Sequence, residues 1–179
     1  MPTIPLHPMI VHFPIVLAVL LPFVAVGALW VIRSRVIRPT KVWAVTFLLS
    51  VVLLGSGFAA TRTGEAEEDR VEKVVPENVL HQHEEAAERF LMIAAVVAAI
   101  ALLGLARGTV GTAARAVATV GSLVIVFAGF QVGKAGGELV YEHNAGAAYA
   151  PSGPNAVKAS GEGAQANNNE ASDEDSDKN

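Results

Sequence analysis

The fold is decided by an apolar stretch near the start of the chain, where residues 9–32 read MIVHFPIVLAVLLPFVAVGALWVI. The stretch contains no Asp, Glu, Lys or Arg. An α-helix rises about 1.5 Å per residue, and the hydrocarbon core of a bilayer is about 30 Å thick, so about 20 apolar residues cross it. The stretch therefore predicts a transmembrane helix, in which Pro14 and Pro22 are tolerated at a kink.

Three further apolar runs have the same character, at residues 42–60, 90–106 and 116–133. The whole sequence is 52% hydrophobic and only 17% charged, which is typical of membrane proteins rather than of soluble domains. We therefore predict an all-α integral membrane protein, with a four-helix transmembrane bundle over residues 1–150. Residues 151–179 are rich in Ser, Gly, Asn, Asp and Glu, and we expect them to form a disordered acidic tail.

Basic residues indicate how the bundle is oriented. The two short connections between the spans carry basic residues and no acidic ones: Arg33, Arg35, Arg38, Lys41, Arg107 and Arg115. By the positive-inside rule, both connections face the cytoplasm. Both termini and residues 61–89 then lie on the extracytoplasmic side of a bacterial inner membrane, together with all 17 acidic residues.

The composition excludes several classes of function. Without cysteine the chain has no disulfide, no thiolate metal site, no Cys-ligated iron–sulfur cluster and no c-type haem attachment. A net charge of −4, with no clustered basic face, argues against nucleic-acid binding. The sequence also contains no G-x-S-x-G, P-loop or dinucleotide-binding motif, so nothing in it predicts a stand-alone enzyme.

Histidines are the strongest nitrogen ligands in the chain, and there are five of them. His7 and His12 lie at the start of the first span, His81 and His83 precede the third, and His143 follows the fourth. The predicted topology places all five on the extracytoplasmic side. We therefore expect them to lie near one end of the bundle.

The segment that precedes the third span is predicted to be an extramembrane start of the third helix. At about 100° per residue, His83 shares the apolar face that continues through Ala87 and Phe90, whereas His81 lies among glutamates. We predict that His83 points into the bundle. His81 is predicted to be solvated and able to pair with Glu85, one turn further along the helix.

The fourth span and its continuation combine small residues with one polar residue. Gly129, Gly133 and Gly137 recur at four-residue spacing, which leaves a smooth stripe for another helix or for a flat cofactor. Gln131 is strongly polar within the same apolar run. We expect Gln131 to face the bundle interior and to form a hydrogen bond there.

A weak internal symmetry relates the two halves of the chain. Each half has a histidine at its start, a span, a basic turn, a second span, and an exit where Gly is followed by Glu. The two exits read Gly64-Glu65 and Gly137-Glu138. If the halves are parallel repeats about an axis along the membrane normal, His12 and His83 are counterparts across the bundle.

The segments LHPMIVHFPI (6–15) and GGELVYEH (136–143) resemble an uncharacterised family of bacterial four-helix membrane proteins, domain of unknown function 2231. The likeness covers about residues 5–148, and the residues that match the family pattern are His7, His12, Gly64, His83, Glu84, Gly137, Tyr141 and His143. Asn144 stands where the family usually has glycine. The resemblance implies four spans but no activity. Some relatives occur beside or fused to Rieske-type redox domains, which implies electron-transfer surroundings.

Three functions remain open. The first is a membrane-embedded redox module, with b-type haem held by two of four histidines: His12, His83, His143 and His7. The second is a module that binds copper or zinc, with ligands drawn from His7, His12, His83, His143, Glu65, Glu84 and Glu138. The third is a structural membrane subunit without a cofactor. Besides the lipid bilayer, the candidate partners are a quinol and a Rieske-type redox protein, and the oligomeric state stays open.

Overall fold

The computed structural model describes residues 6–34 and 37–150, and the regular structure in these residues is helical. The elements are α1 (Leu6–Ile10), α2 (His12–Arg33), α3 (Pro39–Glu65), α4 (Glu68–Val71), α5 (Glu77–Leu103), α6 (Gly108–Tyr141) and a 3-10 helix (Ala145–Tyr149). The predicted all-α class is confirmed. The predicted disordered tail, residues 151–179, lies outside the described residues.

Four helical segments are long and apolar enough to cross a membrane: Leu6–Arg33, Pro39–Glu65, Glu77–Leu103 and Gly108–Tyr141. Each overlaps one of the four predicted spans, although the third helix ends at Leu103 rather than at residue 106. The prediction of a four-helix membrane protein is confirmed. The third helix begins well before its apolar run, and the fourth continues well beyond its run. Both extensions carry residues that the sequence proposes as ligands.

The first span is interrupted only briefly, between α1 and α2. Val11 keeps a helical backbone, with φ −59° and ψ −22°. Its N–H donates to the His7 carbonyl at 3.1 Å, and the Ile15 N–H donates to the Val11 carbonyl at 3.3 Å. The interruption has a local cause, because Pro14 has no N–H to donate to the Ile10 carbonyl one turn earlier.

Proline and glycine set the starts of the other long helices. Pro39 occupies the first turn of α3, and Pro76 directly precedes α5. The absence of an N–H has little cost at either place, because the first N–H groups of a helix have no partner within it. Gly108 begins α6 with a φ of 75°, a conformation that residues with a side chain rarely adopt.

The four long helices form a closed ring in which each packs against two neighbours. α2 packs on α3 and α5 packs on α6 within two hairpins, while contacts of α3 with α5 and of α6 with α2 close the ring. The core contains many alanines, of which Ala25 and Ala101 are fully buried. Small residues let membrane helices approach closely, and dispersion contacts then hold them together.

The buried positions of the two hairpins correspond to each other. An interval of 76 residues relates five buried positions of α2 to five of α5: Pro14, Ala18, Leu21, Pro22 and Ala25 to Phe90, Ala94, Val97, Ala98 and Ala101. An interval of 72 residues relates four buried positions of α3 to four of α6: Trp43, Thr46, Ser50 and Leu53 to Arg115, Ala118, Ser122 and Ile125. This correspondence, together with the order of helices in the ring, supports the predicted parallel repeats.

The prediction for Gln131 is wrong, because its side chain is exposed. The inner face of α6 at this level follows Ile125, Ala128 and Val132, which belong to the core or pack against it. That spacing leaves Gln131 on the outer face of the helix. Its polarity therefore does not contribute to the bundle interior.

Candidate functional site

His83 lies in the N-terminal part of α5 and faces the bundle. Its side chain is half-buried, and its ring packs against α6 at Gly136, where an added Cβ would lie 3.3 Å from the ring Cε1. The buried Nδ1 atom of His83 has no hydrogen-bond partner among the described residues. The prediction that His83 points inward is confirmed.

His7 lies on α1 and packs against α3 in the same way. A Cβ added at Gly64 would lie 3.2 Å from both Cε1 and Nδ1 of the His7 ring. The Nδ1 atom is 2.8 Å from the carbonyl oxygen of Ala60. Because a carbonyl only accepts hydrogen bonds, Nδ1 carries a proton and donates it, and in the corresponding neutral tautomer the lone pair is on Nε2.

The two hairpins are related by an interval of 76 residues between α2 and α5 and by one of 72 residues between α3 and α6. The same two intervals relate the surroundings of His7 to those of His83. They connect three pairs of residues: His7 with His83, Gly64 with Gly136, and Ala60 with Val132. The Val132 carbonyl interacts with the His83 ring, although the Nδ1 atom of that ring is outside hydrogen-bonding geometry. The repeat therefore makes His7 the counterpart of His83, and the predicted equivalence of His12 and His83 is corrected.

The rings of His7 and His83 lie close to each other. Their ring centroids are 6.0 Å apart and their planes cross at 85°, an edge-to-face arrangement. Each ring reaches this place by lying against a glycine of its own hairpin, where a Cβ would crowd it. The pair is thus built from α1, α3, α5 and α6, at the end of the bundle opposite the basic turns.

Glu67, in the connection from α3 to α4, holds the start of α1 in place. Its Oε1 atom accepts hydrogen bonds from the N–H of Leu6 at 2.8 Å and from the N–H of His7 at 3.4 Å. Thr63 donates to the Ala60 carbonyl at 2.8 Å, and its Oγ1 is 3.5 Å from Nδ1 of His7. The sequence alone does not indicate Glu67 and Thr63, because no local pattern shows that they lie beside His7.

The two other histidines proposed as ligands lie elsewhere on the described structure. His12 begins α2 with its side chain exposed. His143 follows α6, is half-buried, and donates its backbone N–H to the Glu138 carbonyl at 3.2 Å. The structure gives neither ring a contact with the His7–His83 pair.

Two of the acidic residues proposed as ligands form ion pairs within their own helices. The Oε2 atom of Glu65 is 2.8 Å from Arg62, and the Oε1 atom of Glu138 is 3.4 Å from Lys134. Both basic partners are well exposed. Such pairs stabilise a helix by a few tenths of a kcal/mol, of the order of 0.2–0.5.

His81 is exposed, as predicted, and interacts with acids on α5. Its ring nitrogens lie 3.6 Å from Glu77 and 3.2 Å from Glu84, the third acidic residue proposed as a ligand. The predicted pairing of His81 with Glu85 is wrong, because Glu85 forms an ion pair with Arg89 instead. A helix places both the preceding and the following turn beside His81, so several acids compete for the same ring.

Within residues 6–34 and 37–150, no three or more His, Asp or Glu side chains form a group that could hold a metal ion. Of the residues proposed as ligands, the structure brings together His7 and His83. Haem, copper and zinc stay predictions.

The glycines of α6 do not form one smooth stripe. A Cβ at Gly129 would lie 3.5 Å from Phe90, whereas one at Gly133 or Gly137 would meet no atom within 4 Å. Within α6, the His83 ring lies against Gly136, which the four-residue spacing did not single out.

Residues 3–149 match the model of a family described as "Predicted membrane protein (DUF2231)". The chain belongs to that family. The matched residues of this DUF2231 member include all of its long helices and the His7–His83 pair. No curated protein and no solved structure matches the chain.

Proposed function

We propose that the protein is a membrane-embedded cofactor-binding module whose centre is the His7–His83 pair. The observation that carries the proposal is the meeting of two equivalent histidines, one from each repeat, with ring centroids 6.0 Å apart. Four-helix bundles commonly hold cofactors on side chains from facing helices. A pair of imidazoles on a pseudo-symmetry axis is suited to a ligand that both rings contact alike.

The chemistry of the two rings supports a ligand role. A metal-bound histidine usually donates its second ring N–H to a carbonyl or carboxylate, which fixes the tautomer. His7 already has this arrangement, with Nδ1 bonded to Ala60 at 2.8 Å. The buried Nδ1 atom of His83 has no partner among the described residues, and a ligand at the pair would offset the cost of leaving such an atom unsatisfied.

The same proposal includes the orientation and the partners. The basic residues of the two turns lie at the end of the bundle opposite the pair, and by the positive-inside rule this supports an extracytoplasmic position of the pair in a bacterial inner membrane. A redox-active cofactor there would exchange electrons with a quinol in the lipid or with a Rieske-type redox protein at the membrane surface. These are the partners that the sequence predicts.

Labelling of single cysteines tests the orientation directly, because the chain contains no native cysteine. The three reporters are Ser34→Cys and Thr112→Cys on the basic side and Asn78→Cys near the pair, all at exposed positions. An impermeant thiol reagent applied to intact cells is expected to label only Asn78→Cys. Thr112 is used because its neighbour Gly111 has no room for a side chain. Labelling of the first two variants instead would place the pair on the cytoplasmic side.

The cofactor content of purified protein tests the proposed function. Full-length protein is purified in detergent from cells supplied with iron and copper, and its absorption spectrum and metal content are measured. The wild-type protein is expected to carry a cofactor, which His7→Ala and His83→Ala each lose. His12→Ala and His81→Ala are the matched controls, because both side chains are exposed.

The outcomes of this experiment separate the three functions. A Soret band that sharpens on dithionite reduction would identify haem, and metal without a Soret band would identify copper or zinc. A wild-type protein that carries neither would contradict the proposal and favour the structural subunit. Loss in His12→Ala but not in His7→Ala would restore the pairing expected from the sequence.

A further inference from the structure

We infer that the His7–His83 pair binds a single copper(I) ion through one nitrogen of each ring. This inference rests on the proposed function and specifies its cofactor. Four observations carry it: the ring separation, the number of ligands, the surroundings of the pair, and the space around the rings.

The ring separation matches an ion shared by two imidazoles. A ring nitrogen lies about 2.0–2.1 Å from a bound transition metal, so the centroids of two rings on opposite sides of one ion are about 6 Å apart. The observed separation is 6.0 Å. The helices that carry the two histidines therefore already stand at the required distance.

The number of ligands selects the ion. Zinc in proteins is almost always four-coordinate, with at least three protein ligands, and carboxylate oxygens suit harder divalent ions. In the described residues, no third His, Asp or Glu joins the pair to make such a group. Copper(I) has a filled d shell and is stable with two nitrogen ligands opposite each other, so the pair alone completes its coordination.

The surroundings of the pair also favour a singly charged ion. The rings lie against the backbone of Gly64 and Gly136 and beside the carbonyls of Ala60 and Val132. Both side chains are half-buried, and the cost of placing an ion in a partly buried site rises steeply with its charge. Two neutral imidazoles leave a copper(I) complex with one positive charge, which costs less to bury than a divalent complex.

A haem group does not fit the same space. The His7 ring is pressed on Gly64, with 3.2 Å to a Cβ there, and the His83 ring on Gly136, with 3.3 Å. Each ring is thus held against the backbone of its own hairpin, so a macrocycle, which extends well beyond a single ion, could enter only if the elements that carry the rings moved apart. Two apolar grooves on the bundle surface are lined by residues such as Val51, Phe58 and Met92 in one and Val24 and Val45 in the other, and no histidine lines either of these two.

Anaerobic titration of the purified full-length protein with copper(I) tests the inference, with bicinchoninate as a coloured competitor. One ion per chain is expected to bind. His7→Ala and His83→Ala are each expected to weaken binding by at least about 100-fold, beyond the 10–100-fold typical for loss of an outer-shell partner. His81→Ala should leave the affinity unchanged within about twofold, because its ring is exposed and paired with acids.

Two further measurements keep the result interpretable. His7→Gln and His83→Gln retain a hydrogen-bonding side chain without an imidazole, so they should fold and still lose copper(I). X-ray absorption of the copper-loaded wild type should show two nitrogen neighbours and the edge feature of two-coordinate copper(I). Copper affinity that is unchanged in the Ala and Gln variants, or a copper ion with four ligands, would overturn the inference.

Failure of the inference can be told apart from failure of the proposed function. Haem or zinc that depends on His7 and His83 would overturn copper(I) and leave the cofactor-binding module standing. A protein that binds no cofactor at these residues would overturn both.

Discussion

Gly104→Ala is expected to lower the free energy of unfolding by about 3 kcal/mol, because the added methyl group has no space. A Cβ at this position would overlap Nε1 of Trp43 and lie 2.9 Å from its Cδ1. Trp43 is fully buried, and its Nε1 donates to the carbonyl of Ala101 at 2.9 Å. The indole therefore has to move, which loses both its packing and its hydrogen bond.

Gly27→Ala is the matched control for this prediction. Gly27 lies on α2 within the first span, and a Cβ there would meet no atom within 4 Å. Alanine is favoured over glycine in a helix by about 0.5–1 kcal/mol, so Gly27→Ala should be neutral or slightly stabilising. Unfolding of both variants in detergent, by heat or by a graded denaturant, gives the comparison. Equal stability of the two would contradict the register in which α3 packs on α5.

The sequence was sufficient for the four spans, because the length of an apolar run is a local property. It was not sufficient for the contact of Trp43 with Gly104. Which large residue meets which small one depends on the register between helices, and that register arises from the packing of the whole ring. The prediction for Gln131 is wrong for the same reason, because the polarity of a residue does not determine which face of a helix points into the bundle.

The candidate site was predicted in part. His83 and His81 were separated correctly, because the helical period assigns neighbours two positions apart to different faces. The sequence pattern predicts His12 as the counterpart of His83. The buried face of α2, however, passes through Pro14, and the position seven residues before Pro14 is His7, on α1. The same interval separates His83 from the buried Phe90. Alignment of the repeats on their buried residues was the signal that could have found His7.

Arg115→Leu is expected to destabilise the protein by about 3 kcal/mol, because it leaves two carbonyls without their donors. Arg115 is 6% exposed, and its Nε donates to the Gly104 carbonyl at 2.7 Å. One terminal nitrogen donates to the Ala106 carbonyl at 3.1 Å. Both carbonyls follow the last turn of α5, where a helix has no partners of its own for them.

Two variants separate this role of Arg115 from its charge. Arg107→Leu removes a positive charge from the same turn at an exposed position, so its effect should stay within about 0.5 kcal/mol. Arg115→Lys keeps the charge but lacks the planar group that reaches two acceptors at once, so it should remain clearly less stable than the wild type. Unfolding in detergent measures all three variants. If Arg115→Lys were as stable as the wild type, charge alone would explain Arg115. The expected loss would instead show that Arg115 stabilises the protein through its two hydrogen bonds to the carbonyls that follow α5.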